Sequence, residues 1–316
     1  MPTLIAHFTD IHFTEDPRRV SLGTLLSKRF LGWANLRYRG RYSAFEQVEA
    51  VAKAFLADLE LTAPDSILFT GDLTSLSLES EFEMARRTLE PLLEDPRMIG
   101  LPGNHDVYVG SAERQRLFEK SVPHWVRSDL SLADFPSAQA ASYPYPLLRL
   151  IGENVALVAV RDARASLPHD SSGRLPAHQM RALESILTSA AVQGRQIILA
   201  MHYCLLRADG SRDKYLHRLR NDEQVLALAE RLGVDLIVCG HVHHRGVLAS
   251  GQGSPVALAN PGSLSYYKES CAYHLISVEA QSIQLKARRY NKLENRFEAW
   301  DDAPGTGLLS PKALAQ

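Results

Sequence analysis

Short apolar runs alternating with longer amphipathic stretches place this chain in the α/β class, with a parallel or mixed sheet covered by helices. Two further observations shape that reading: the pattern turns to strands alone after Gly246, and polar residues gather where the strands stop. Leu4–Phe8, Ser66–Thr70, Met98–Leu101, Val155–Val160, Ile197–Met201 and Leu236–Cys239 read as buried strands, each a brief apolar run. Between them, Ala44–Leu61, Leu78–Leu93, Ala112–Lys120, Pro176–Ala191 and Asp222–Leu232 carry apolar residues at helical spacing. Val256–Leu258, Tyr273–Val278 and Ile283–Tyr290 read as late strands separated by turn residues. One domain over residues 1–300 accounts for this order, with a basic, apolar insertion at about 20–43 and a tail over 301–316.

Bulk properties bound the class without revealing the activity. A chain of 316 residues, 45% hydrophobic and 22% charged, is an ordinary globular composition. A net charge of −1 supplies no global field toward nucleic acid or anionic lipid, so any such attraction must be local. The opening MPTLIAHFTD has no basic region followed by an apolar core, and no apolar run approaches the length of a bilayer. Cys204, Cys239 and Cys271 have no paired spacing, which predicts reduced thiols and a cytoplasmic protein.

The strand ends carry the chemistry. The first closes on Asp10-Ile11-His12, the second on Gly71-Asp72 and the third on Gly103-Asn104-His105-Asp106. Two later strands close on Met201-His202 and on Gly240-His241-Val242-His243. Ligands of open α/β sheets bind at carboxyl ends of strands, so these groups share one edge. Imidazole nitrogens, carboxylates and an amide oxygen make a mixed N/O donor set suited to first-row divalent ions. Asp-x-His and His-x-His put alternate residues on one side of an extended segment. Any one piece alone is a weak signal; five in succession, each closing an apolar strand, point to a metal centre.

In these residues the chain resembles the calcineurin-like metallophosphoesterase superfamily, whose blocks D-x-H, G-D, G-N-H-D/E, a lone His and G-H-x-H occur here in order from residue 10 to 243. Gly173–Gln179 and Asn260-Pro261-Gly262-Ser263 resemble two further pieces of it. The resemblance implies a four-layer α/β/β/α sandwich of two mixed sheets flanked by helices. It implies one metal ion on Asp10, His12, Asp72 and His243, and a second on Asp72, Asn104, His202 and His241, with Asp72 shared. Manganese is the first expectation, with iron, zinc or nickel as alternatives. It also implies a catalytic His105 beside the scissile phosphate, stabilising charge or protonating the leaving oxygen. Asp106 then orients His105 or caps a helix. Two such ions lower the pKa of a bridging water, and the resulting hydroxide attacks phosphorus.

The substrate is less legible. In VSLGTLLSKRFLGWANLRYRGRYS (20–43), Leu22, Leu25, Leu26, Phe30, Trp33 and Leu36 recur at helical spacing among Lys28, Arg29, Arg37, Arg39 and Arg41. The plain expectation is a helix packing its apolar stripe on the domain. The sharper one is an element near the metals that touches a membrane surface or grips an acyl chain, giving peripheral contact with the inner membrane. Ser27-Lys28-Arg29-Phe30-Leu31-Gly32 also resembles an insertion of bacterial metallophosphoesterases acting on UDP-2,3-diacylglucosamine in lipid A synthesis. The expected substrate is therefore a phosphodiester or pyrophosphate, small or lipid-linked. The alternatives are a 3′,5′-cyclic nucleotide phosphodiesterase, a nuclease or a non-catalytic metal-binding scaffold. No stable nucleic-acid partner is expected, because the basic residues do not track a groove. Arg161, Arg164 and Arg207 are candidate substrate-binding residues, since each follows a strand.

Overall fold

A computed structural model describes residues 2–21, 23, 27–129, 144–252 and 254–309. The first buried runs form β1 (Thr3–Phe8), β2 (Ser66–Phe69) and β3 (Met98–Gly100), joined in parallel through crossover helices. The crossovers are α2 (Val48–Thr62), then α3 (Glu79–Thr88) with the short α4 (Glu90–Leu93); they follow the insertion helix α1 (Arg29–Tyr38). α5 (Gly110–Gln115) and α6 (Leu117–Ser121) come after β3. The second half repeats the plan. β4 (Leu147–Ile151) pairs antiparallel with β5 (Val155–Ala159). β6 (Gln196–Ala200), β7 (Leu236–Val238) and β9 (Ala257–Asn260) continue in parallel, with α7 (Ala177–Leu187) and α8 (Asp222–Arg231) as crossovers and β8 (Gly246–Leu248) on the edge.

The chain then returns to the first sheet through β10 (Ala272–Glu279), which lies antiparallel to β1. β11 (Ser282–Asn291) and β12 (Arg296–Ala299) extend that sheet, giving the orders β12-β11-β10-β1-β2-β3 and β4-β5-β6-β7-β9-β8. Both sheets are mixed. Period-two alternation sends Ile5, Leu68, Ile276, Leu157, Ile198 and Val238 into a core between the sheets. The opposite faces meet helices: Phe8 and Phe69 pack with Val51 and Phe55, while Leu199 and Ile237 pack with Leu183 and Val225. This is the four-layer α/β/β/α arrangement expected.

Two expectations fail. The tail does not begin at 301, because β13 (Gly307–Leu309) pairs antiparallel with β11 and buries Leu309 against the inter-sheet core. The thiols are not all reduced: Cys204 and Cys239 form a disulfide, with an S–S separation of 2.24 Å and Cα atoms 5.2 Å apart. Their separation of 35 positions in sequence hid this pairing, which arises because β6 and β7 are neighbours and end side by side. Cys271 stays a buried free thiol. Among the described residues no helix is long and apolar enough to cross a membrane.

Candidate metal centre

Seven side chains meet where the carboxyl ends of both sheets adjoin. Asp10, His12, Asp72 and Asn104 come from the loops after β1, β2 and β3; His202, His241 and His243 come from those after β6 and β7. The turns are tight. Asp10, His12, Asp72, His241 and His243 all have positive φ, between 50° and 72°, a region costly for residues other than glycine. A side chain at Gly103 would collide with the Asp72 carboxylate, and one at Gly240 with Thr9.

Backbone carbonyls fix the imidazole tautomers. A carbonyl only accepts, so the ring nitrogen facing it carries the proton. His12 Nδ1 donates to Thr74 O at 3.1 Å, His202 Nδ1 to Thr70 O at 2.8 Å and His241 Nε2 to His217 O at 2.7 Å. The other nitrogen of each ring turns its lone pair inward. One ligand atom each from Asp10, His12, Asp72 and His243 lies within 4.8 Å of the others. Beside them, Asn104 Oδ1 sits 3.0 Å from His202 Nε2 and 2.8 Å from His241 Nδ1, with Asp72 Oδ2 3.5 Å from His202 Nε2.

This donor set fits a pair of divalent cations. Asp10 Oδ1 is buried and has no hydrogen-bond partner among the described residues. Burial holds His12 and His241 down to about 3, so both rings are neutral and free to coordinate. Burial also lifts Asp72 well above the carboxylate range, and the charges of Asp10 and Asp106 push it further. Acceptor atoms and like charges crowded in this way are relieved by positive ions.

Buried groups behind the ligands hold their loops. Asp106 does not touch the His105 ring, contrary to one expectation. Its carboxylate accepts N–H groups from Asp72, Leu73, Thr74 and Gly103 at 2.9 to 3.1 Å, tying two ligand loops together. His105 is oriented instead by Ser75, whose carbonyl accepts from Nδ1 at 2.6 Å. Asp162, which the sequence reading did not single out as a support, accepts the N–H groups of His202 at 3.1 Å and Tyr203 at 2.9 Å. The Asn-Pro-Gly-Ser turn joins in: Ser263 Oγ donates to Asp10 O at 2.5 Å and Asn260 Nδ2 to Gly240 O at 2.8 Å.

Asp72, Asn104, His241 and His243 border a cavity of about 1050 Å³, which His105 and Tyr108 also line. The insertion closes one side of it, supplying Lys28, Leu31, Asn35, Arg39 and Arg41. Its apolar stripe largely packs on the domain: Leu36 is buried against Leu76 and Tyr108, and Trp33 Nε1 donates to Pro17 O at 2.7 Å. Phe30 and Tyr38 stay exposed; Leu22, Leu25 and Leu26 lie outside the described residues. Of the three candidate arginines, Arg207 reaches the cavity, paired with Asp213 at 2.7 Å. Arg161 is buried in an ion pair with Glu113 at 3.0 Å, and Arg164, 3.9 Å from Asp170, is also absent from the cavity wall. A strand end delivers a residue to the sheet edge but does not fix which way a long side chain turns. Arg39 and Arg41 stand where those two were expected.

A family model described as calcineurin-like phosphoesterase matches residues 3–245. A probable glycerophosphodiester phosphodiesterase, GpdQ, from Arcobacter nitrofigilis is 27% identical over 192 residues, covering 57% of this chain and 57% of that protein. The chain thus matches little more than half the length of that relative. A dimetal phosphatase from Danio rerio has the same fold, with a TM-score of 0.62 at 13% identity over 96% of this chain and all of that one. The yellow lupin purple acid phosphatase PPD1 aligns with a TM-score of 0.53 at 13% identity, over 92% of this chain and 52% of its own.

Proposed function

Because the chain belongs to the calcineurin-like phosphoesterase family, we propose that it is a dinuclear metal-dependent phosphodiesterase working at this centre. The observation that carries the reading is the convergence of seven side chains able to ligate a metal, three of them imidazoles whose outer nitrogens are tied to backbone carbonyls. Asp10, His12, Asp72 and His243 would hold one ion, and Asp72, Asn104, His202 and His241 the other. Two divalent ions there would supply a deprotonated water as nucleophile and offset charge on the phosphoryl oxygens. Manganese is our first choice among them.

The chain's own groups do the rest. Asp72, in reach of both donor groups, sets their separation. His105 Nε2, opposite the nitrogen bound to Ser75, faces the scissile phosphate and serves the leaving oxygen. For the substrate we favour UDP-2,3-diacylglucosamine or a similar lipid-linked pyrophosphate. Support comes from the insertion, which walls the cavity and exposes Phe30 and Tyr38 beside Arg37 for peripheral contact with a membrane surface. The similarity to GpdQ supports a second reading, a glycerophosphodiester.

Hydrolysis of bis-p-nitrophenyl phosphate with Mn²⁺ tests the reaction class. Chelation should abolish turnover reversibly, and Asp72→Ala should lower kcat by roughly a thousandfold or more. Undiminished turnover by the fully chelated protein would end this reading.

A further inference from the structure

The hydrolysis proposed above accounts for the phosphoryl group that is cut. It leaves unexplained the cations brought to the same cavity by the chain just after α1. Arg39 and Arg41 both line the cavity, and Lys268 joins them from the loop before β10. Lys268 Nζ lies 3.9 Å from the point where a side chain at Gly40 would begin, between the two arginines in sequence. Among the described residues none of the three has an ion-pair partner or a side-chain hydrogen bond. Other basic groups at the rim are engaged: Arg207 holds Asp213, and Lys28 Nζ donates to Ser166 Oγ at 2.7 Å and Asp170 O at 2.8 Å. Glu269, the carboxylate next to Lys268 in sequence, lies 3.6 Å from His244.

Arg41 is also close to the metal ligands. Its guanidinium carbon is 5.8 Å from the centre of the Phe45 ring, which lies 4.7 Å from the His12 ring. A phosphodiester carries one negative charge, which a metal centre suffices to hold. Three like charges lining one cavity beside that centre repel one another unless a second anion lies among them.

We propose that Arg39, Arg41 and Lys268 form a subsite for a second phosphoryl group, so that the cavity takes diesters of diphosphate in preference to diesters of a single phosphate. Guanidinium groups suit this role, since they meet phosphate oxygens two at a time. Hydrolysis then adds water across the P–O–P link. A bond forms from water oxygen to one phosphorus, and the anhydride bond breaks with its electron pair on the departing phosphate. The water proton passes to that phosphate or to solvent. The inference rests on the hydrolase reading and is tested apart from it.

The test compares adenosine diphosphate ribose with bis-p-nitrophenyl phosphate, with Mn²⁺, in the wild type and in Arg39→Gln, Arg41→Gln and Lys268→Gln. Calorimetry on the same proteins measures binding of α,β-methylene adenosine diphosphate against adenosine monophosphate. Loss of either guanidinium should raise KM for the diphosphate about tenfold, roughly fivefold more than for the bis ester. The binding preference for the diphosphate analogue should fall in step, and Arg41→Lys should recover part of it. Equal shifts for the two substrates, a wild type that spares the diphosphate while cutting the bis ester, or an unchanged binding preference overturns the subsite. A preference that falls in the variants while no ester is hydrolysed keeps the subsite and removes the hydrolase reading.

Discussion

At the scale of single residues, three carboxylates with almost no exposure, Asp106, Asp162 and Glu81, spend their lone pairs on backbone N–H groups. Asp162→Ala would leave the N–H groups of His202 and Tyr203 unpaired, at about 1–3 kcal/mol each. It should also lower metal affinity about 10–100-fold, as loss of an outer support does. Competition with a fluorescent chelator and a thermal melt measure the two effects, and unchanged affinity would return Asp162 to a purely structural role. Glu81 accepts from Leu76 at 2.8 Å and Leu78 at 3.2 Å, and burial raises its carboxyl from 4.5 to about 7. The folded state therefore holds this proton more tightly than the unfolded one. The resulting stabilisation is complete below about pH 4.5 and is lost as pH rises through about 7. Melts across that range should show the wild type falling relative to Glu81→Gln, by at most about 3 kcal/mol. A gap that does not vary with pH would mean that Glu81 titrates as an ordinary carboxyl.

At the scale of elements, α1 is the most informative. Its helical stripe was legible because Trp33 and Leu36 recur with the helix period; the task of Gly32 was not. A glycine inside a helix ordinarily costs about 1 kcal/mol against alanine, so Gly32→Ala looks stabilising from sequence alone. Here the added carbon would sit 2.5 Å from Leu76 Cδ2 and 2.8 Å from the Tyr108 hydroxyl. The substitution should instead destabilise by about 1–3 kcal/mol and raise KM by displacing the residues after the helix. A thermal melt with parallel kinetics reads both, and a higher Tm would refute the close packing. The strands closing on ligands were legible for another reason: runs buried on both faces, such as Val155–Ala159, are apolar throughout. Several edge strands escaped notice. β8 and β13 have three residues each and β12 four, and unlike the equally short β3 and β7 they are partly exposed, so no buried apolar run marks them.

At the scale of the molecule, the donor set is divided between the sheets, with Asp10, His12, Asp72 and Asn104 on one and His202, His241 and His243 on the other. The blocks could be read one at a time because each is local. The supports could not, because Asp162 and His202 are 40 residues apart and meet only in the fold. Ions bound across the sheets should stabilise the whole chain, by about 2.7 kcal/mol at a hundredfold excess over Kd. Calorimetric melts with and without chelator should differ by a few degrees, and coincident melts would deny the link between the sheets. The left-handed backbone at Asp10, His12, Asp72, His241 and His243 sets stability against the proposed centre. Each such residue costs about 1–3 kcal/mol, and glycine at any of the five would relieve it. A lineage that no longer used the centre would gain stability by any of these exchanges. The strained backbone therefore coincides with the side chains proposed to hold the ions, and relaxing it at any of the five should cost that centre a ligand.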